Sequence, residues 1–395
     1  LKAPLPPEGE EPPLFTPLFL VVCTFTFLVF LAAFQLFPTA PFRILALGGS
    51  HLLAGSFLGC LTYASALCGP LTGGLADRVG RRRVMLGTSV AVTLIAGGYT
   101  WTRTPAVLLG LAVLHGVFWS GLMAASAAYL TDLLPPSRRA EGIGYWGLAS
   151  VLAVAVAPRV GFGLLVRGWG TVCGAVFLFN LAVVSIALFL PDFPSPPRSG
   201  EASGFFEWHV LVLSLTLFLY TFGYGGVTSF SALYAKSQGI EPPWLFLSGF
   251  AVVTLLTRPF SARLADQIGY GRVLVPSLAA IALALGILAL WRTKTGFVAS
   301  AVLFGAGFGS AYPVFAAHVM SQVGDGRRGA AFGSILFAFD TGIGTGSLAT
   351  GYLAGRYGYP AAYGLAALLA ALSGPYFLAA DRRLGGGSEA PPTSP

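Results

Sequence analysis

The chain has 395 residues, 55% of them hydrophobic and only 10% charged, with a formal net charge of +8. A soluble protein carries about 25% charged residues, and the 38 present here (23 Lys and Arg plus 15 Asp and Glu) are too few to cover a soluble fold of this size. That excludes large soluble domains, and the basic residues sit at the ends of apolar stretches rather than in one patch, which argues against a nucleic-acid partner.

In chain order, residues 1–13 are acidic and proline-rich, unlike a signal peptide, and are expected to form a cytoplasmic tail. The sequence does not begin with Met, which leaves the true N-terminus open. About twelve apolar stretches of roughly 18–27 residues follow, each long enough to cross a bilayer as a helix. Helices are predicted at 14–36, 52–74, 84–101, 105–131, 142–166, 170–190, 206–232, 244–264, 272–291, 297–320, 330–353 and 360–380. Residues 191–205, rich in Pro, Ser and Gly, are predicted to be a cytoplasmic linker between an N-terminal half (14–190) and a C-terminal half (206–380), with 381–395 as a second tail.

An even number of spans puts both tails on one side. Of the 23 Lys and Arg, Arg159 and Arg258 fall inside spans, and seven (Arg43, Arg103, Arg167, Lys236, Arg292, Lys294 and Arg356) lie opposite the tails. The remaining fourteen (23 − 2 − 7) share the tail side, which makes that side cytoplasmic and the expected location the cell inner (plasma) membrane. Cys23, Cys60, Cys68 and Cys173 all fall in apolar spans and read as buried thiols, with neither zinc spacing nor a disulfide framework.

The halves repeat. Leu75-Ala76-Asp77-Arg78-Val79-Gly80 returns 189 residues later as Leu264-Ala265-Asp266-Gln267-Ile268-Gly269, and Arg83, Pro70, Gly116, Arg139 and Gly144 return as Arg272, Pro259, Gly305, Arg328 and Gly333 at the same offset. One offset shared across loops and spans marks parallel six-helix repeats. The loop Gly73-x3-Asp77-x2-Gly80-x-Arg82-Arg83, with its weaker copy between spans 8 and 9, resembles the signature of the major facilitator superfamily. The resemblance covers essentially the whole chain. It implies an all-α membrane protein of twelve transmembrane helices in two pseudo-symmetric halves, working by alternating access.

By the same resemblance Asp77 and Arg82, with Gly73, Gly80 and Arg83, and more weakly Asp266, Gly269 and Arg272, form a latch that holds the halves together on the cytoplasmic side. Small residues let helix ends approach closely, and a carboxylate at the membrane edge can accept from Arg and from a facing helix N-terminus. A purely topological role for the Arg81–Arg83 cluster is the competing reading. Span 5 carries Ala157-Pro158-Arg159-Val160-Gly161-Phe162-Gly163, similar to the Gly-Pro signature of the antiporter branch, with Ala157 and Phe162 where glycines are expected. In span 4, Ala112 stands where drug/proton antiporters of the superfamily carry an Arg four residues before the glycine matching Gly116. Coupling must then use other groups, or be absent.

Asp340 is the one acid deep inside a span; at mid-membrane it costs about 2.5–3.5 kcal/mol on insertion scales, so a reason for it is expected. It can take and release a proton as water access alternates, or it can be a structural acid bonded to backbone beside Gly342, Gly344 and Gly346. The equivalent residue of the first repeat is Val151, so the fold itself does not need the acid. His115 is the second candidate and Arg258 a modulator; Arg258 and Arg159 could instead bind an anionic group or be structural. The resemblance lines the central cavity with spans 1, 4, 7 and 10, which offer Thr24 and Gln35, Trp119, Tyr220 and Tyr224, and Tyr312 for substrate. An aromatic cavity with few charges suits an amphipathic organic solute.

No nucleotide-binding loop, nucleophile triad or metal-ligand cluster stands at credible spacing, so neither an enzyme nor a cofactor is expected. The resulting expectation is a monomeric secondary transporter that exports a small organic solute in exchange for protons or another coupling ion. A carrier for a polar metabolite such as a sugar or metal chelator, and a non-transporting sensor or scaffold, remain alternatives.

Overall fold

The computed structural model describes residues 13–193, 207–324 and 327–385; the side chains of Asp77, Ala140, Ala262, Arg328 and Leu384 lie outside that description. Most of the expected linker and both tails also fall outside it. Within the described residues the chain forms twelve α-helices: α1 Pro17–Ala46, α2 His51–Val79, α3 Arg81–Thr100, α4 Pro105–Leu133, α5 Arg139–Leu165, α6 Trp169–Phe189, α7 Trp208–Ser237, α8 Leu245–Ile268, α9 Tyr270–Leu290, α10 Lys294–Ser321, α11 Arg328–Tyr357 and α12 Tyr359–Gly385. Each is 20 to 30 residues long, or about 30–45 Å. Every hairpin reverses direction, so the start of α1 and the end of α12 share one end of the bundle, here the tail face; the other end is the far face.

Nine of the twelve are apolar enough over an 18-residue window to qualify individually as membrane spans. α8 is apolar over Leu245–Ser261, and the other two, α3 and α11, are diluted for visible reasons. α3 opens on Arg81, Arg82 and Arg83, and α11 is rich in Gly, Thr and Ser. Exposed large hydrophobics such as Leu67 (68%), Leu94 (68%) and Leu256 (63%) lie along the bundle sides, as lipid contact requires.

Helix starts are capped locally. Thr16, Ser50, Thr104 and Thr293 each accept a backbone N–H three residues on, satisfying one of the first-turn donors. α2 joins α3 through Gly80 (φ 105°), and α8 joins α9 through Gly269 (φ 98°). The left-handed backbone at both junctions explains why the loop motif keeps glycine there. α1 extends ten residues beyond the predicted end at 36, through Pro38 and Pro41. Between the two prolines Thr39 Oγ1 donates to the Gln35 carbonyl of its own helix at 2.6 Å, and membrane helices tolerate proline where neighbouring helices pack around it.

The two halves pack alike. α1 meets α5 and α6, α2 meets α4, and α3 meets α4 and α6; each pairing recurs six helices later. The repeat anchors explain one of these pairings. A Cβ at Gly116 would overlap the Leu61 carbonyl, and one at Gly305 would overlap the Phe250 carbonyl. Both residues of the second pair lie 189 positions after those of the first. α4 therefore seats on α2, and α10 on α8, through the same close approach. Between the halves the seams are α2 with α11 and α5 with α8, joined by contacts of α7 with α1 and α2.

Candidate functional site

The α2–α11 seam is closed from the far face to about mid-depth. His51 lies under Gly355, and a Cβ at Gly55 would overlap the Ser347 carbonyl. Ser347 Oγ donates to the Gly55 carbonyl at 2.8 Å, and Tyr63 and Thr345 hydroxyls bond at 2.7 Å. Deeper still, Ser65 Oγ donates to Asp340 Oδ2 at 2.7 Å, a bond that crosses from one half to the other. Two further contacts bridge the halves on this side: Arg159 lies 5.4 Å over the Trp244 ring, and Lys236 lies 5.7 Å over Phe42. Past Ser65, toward the tail face, α2 stays on α4, where the Thr72 and Ser120 hydroxyls lie 3.1 Å apart, but no hydrogen bond joins it to α11 among the described residues. Gly69, Gly73 and Gly74 have no atom within 4 Å of where a Cβ would stand. Among the described residues the hydrogen bonds and cation–ring contacts between the halves all lie from the far face to mid-depth, and none lies nearer the tail face.

Asp340 stands twelve residues into α11, about 18 Å from its tail-face end. It is half-buried. Tyr312 lies within electrostatic reach of both Asp340 and Arg258. Asp340 and Arg258 form no ion pair with each other among the described residues. At the positions equivalent to Ser65 and Asp340, the α5–α8 seam carries Thr254 and Val151. The acid therefore belongs to one seam only.

Three of the predicted substrate residues converge in the C-terminal half. Tyr224 stacks on Phe308 (4.5 Å, 12°), and Tyr220 meets the same ring edge-on at 6.1 Å. Tyr312 sits edge-on to Phe339 at 5.1 Å, and Phe339 lies 6.5 Å from Phe308. The Tyr220 hydroxyl is buried with no hydrogen-bond partner among the described residues. Trp119 belongs to a separate aromatic group, edge-on to Phe30 (5.6 Å) and Phe37 (6.2 Å).

The remaining predicted residues lie elsewhere. His115 is buried inside the N-terminal half, its Nδ1 3.3 Å from the Tyr99 hydroxyl. Gln35 is buried where α5 crosses α1 at Gly161, its Nε2 donating to the Leu31 carbonyl at 2.9 Å. Thr24 is exposed near the tail face and donates to the Leu20 carbonyl of its own helix at 2.9 Å.

On the tail face, Arg81 pairs with Asp132, and Arg82 donates to the Leu188 carbonyl at 2.6 Å, so both are held within the N-terminal half. Arg83, Asp266 and Arg272 are exposed. The Asp77 side chain, central to the expected latch, lies outside the described residues.

Sequence reasoning did not single out Ser65, Phe308 or Gly55. Phe304, Phe308 and Tyr312 recur every four residues on α10, a one-face signal that was available. Ser65 and Gly55 gave none, because nothing in one sequence fixes which face of α2 meets α11.

The sequence model of the Major Facilitator Superfamily matches residues 22–248 and 243–393. An uncharacterised MFS-type transporter of Pseudomonas aeruginosa (strain UCBPP-PA14) is 28% identical over 341 residues, covering 83% of this chain and 84% of the relative. One from Burkholderia mallei (strain SAVP1) is 28% identical over 368 residues, 89% of this chain and 88% of the relative. Among solved structures, a bacterial homologue of the human lysosomal transporter Spinster, in an inward-facing and occupied conformation, superposes with a TM-score of 0.78 at 16% identity. That match covers 97% of this chain and 100% of the homologue.

Proposed function

The chain belongs to the Major Facilitator Superfamily, and from that premise we propose that it exports a small amphipathic organic solute from the cytoplasm in exchange for protons. Its fold and its relatives are those of secondary transporters. Direction, coupling and solute class are our reading, as is the placement of the tail face in the cytoplasm of an inner (plasma) membrane.

The observation that carries the reading is the Ser65–Asp340 hydrogen bond across the α2–α11 seam. A carboxylate buried in the rigid interior of one half would have no means of sensing the transport cycle. One placed on the seam changes its surroundings whenever the halves move. When the far face opens, Asp340 loses Ser65 and meets solution on that side, where it takes up a proton. When the far face closes again, the acid faces the tail side, gives up the proton and regains the serine hydroxyl. Solute would bind tail-side of this bond, against Tyr220, Tyr224 and Tyr312, and rocking of the halves would carry it across. Arg258 would modulate the acid through Tyr312, while the burial of His115 beside Tyr99 supports a structural role for that residue. In the opposite conformation the loop between α2 and α3 would latch the tail face.

The test is ligand-induced thermal stabilisation of the purified protein at pH 5.5 and pH 8, screening lipophilic cations, sugars, metal chelators and amphipathic acids. The expected result is a compound whose affinity depends on pH in the wild type and not in Asp340→Asn. A compound whose pH dependence survives that substitution removes Asp340 as the proton site.

A further inference from the structure

The α5–α8 seam carries a cation that no described residue engages by a hydrogen bond or ion pair. Arg258 sits ten residues from the tail-face end of α8, about 15 Å deep, and is half-buried. Among the described residues its guanidinium makes no hydrogen bond and no ion pair; only its backbone carbonyl is engaged, by Ser261. Other arginines that turn into the structure are tied. Arg43 donates to the Thr102 carbonyl, Arg82 to the Leu188 carbonyl, and Arg81 pairs with Asp132. Asp340, the acid at comparable depth, is taken by Ser65.

The fold does not require the charge. The residue equivalent to Arg258 in the first repeat is Gly69. Facing Arg258 across the seam is Gly147, where a Cβ would stand 3.4 Å from a guanidinium nitrogen; its own equivalent in the second repeat is Leu336. A large side chain is thus replaced by none where the guanidinium needs room. Tyr312 lies within electrostatic reach of it, and its hydroxyl also makes no hydrogen bond among the described residues. From Tyr312 the aromatic wall runs through Phe339 (5.1 Å) to Phe308 and Tyr224.

A charged residue at membrane depth faces the bundle interior or a water-filled cavity and marks a substrate or ion pathway, and guanidinium favours planar oxyanions, which it grips with two parallel hydrogen bonds. We infer that the transported solute is an organic anion. Its carboxylate or equivalent oxyanion is held by Arg258, and its apolar body lies against Tyr312, Phe339 and Phe308. This rests on the transport reading above only in taking the tail-side opening as the solute cavity.

The test uses the full chain in nanodiscs and compares benzoate, 2-naphthoate and naphthalene-2-sulfonate with neutral 2-naphthamide by thermal-shift titration. The acids are expected to bind about tenfold more tightly than the amide, the size of a charge-assisted hydrogen bond. Arg258→Gln should remove that preference, and Arg258→Lys should keep part of it. The lysine variant and the unliganded melting temperatures separate lost recognition from lost folding. Equal binding of amide and acids overturns the inference, as does a preference that survives Arg258→Gln or a failure of every acid to bind at millimolar concentration. An anion preference without any pH-dependent behaviour leaves this inference standing and removes the proton-coupling role of Asp340. Proton coupling without an anion preference removes this inference alone.

Discussion

Asp340 and His115 show how placement separates two ionisable groups that look alike in sequence. Both lie in apolar spans, but Asp340 meets Ser65 of the other half, while His115 is buried against Tyr99 of its own half. Asp340→Asn preserves an acceptor for Ser65 and removes the titration, so it should flatten the pH dependence of solute binding with little change in melting temperature. His115→Ala should do the reverse. Losing a buried ring and its hydrogen bond should cost roughly 2–4 kcal/mol of stability, read as a lower melting temperature with the pH response intact. Asp340 was legible in the sequence because an acid ten residues inside an apolar span has few neutral explanations, and Tyr220 with Tyr224 because a spacing of four shares one helix face. Ser65 was not, since a serine in a membrane helix can bond its own backbone and carries no sign of its neighbours.

The glycines that allow a close helix–helix approach fall into two mechanical classes, within a half or between halves. Gly116 and Gly305 hold α4 on α2 and α10 on α8. Gly116→Ala forces a methyl into the Leu61 carbonyl, and overpacking of that kind costs about 1–3 kcal/mol or more. It should lower the melting temperature in every conformation. Gly55→Ala forces the same group into the Ser347 carbonyl across the α2–α11 seam. There the protein has an escape, since the halves can part. Gly55→Ala should therefore fold, while a cysteine at Tyr63 becomes more reactive to a membrane-impermeant maleimide applied to the far face, in a background lacking the four native cysteines. Unchanged Tyr63→Cys reactivity would mean that the seam does not open there. The element boundaries were less legible than the elements: α1 continues through Pro38 and Pro41, where proline in a soluble helix would mark an end but a membrane helix tolerates it.

At the scale of the molecule, the 189-residue offset foretold the two matching halves, and Gly116 and Gly305, which carry it, make the same contact in both. The conformation was not legible, because one sequence encodes every state of the cycle. The closed far face depends on small residues and hydroxyls along the α2–α11 seam and on Arg159 and Lys236 at its rim. None of these is a strong contact, which suits a face that must reopen. Alternating access linked to Asp340 is the central claim, and distances between paired spin labels in nanodiscs test it without knowledge of the solute. One pair, Ser137→Cys with Ser321→Cys, spans the halves on the tail face; the other, Arg103→Cys with Lys294→Cys, spans them on the far face; all four sites are exposed. Between pH 8 and pH 5.5 the two distances should change in opposite directions, the far-face pair lengthening as the tail-face pair shortens, and Asp340→Asn should abolish the response. Distances that stay fixed in the wild type, or that respond equally in Asp340→Asn, would contradict it.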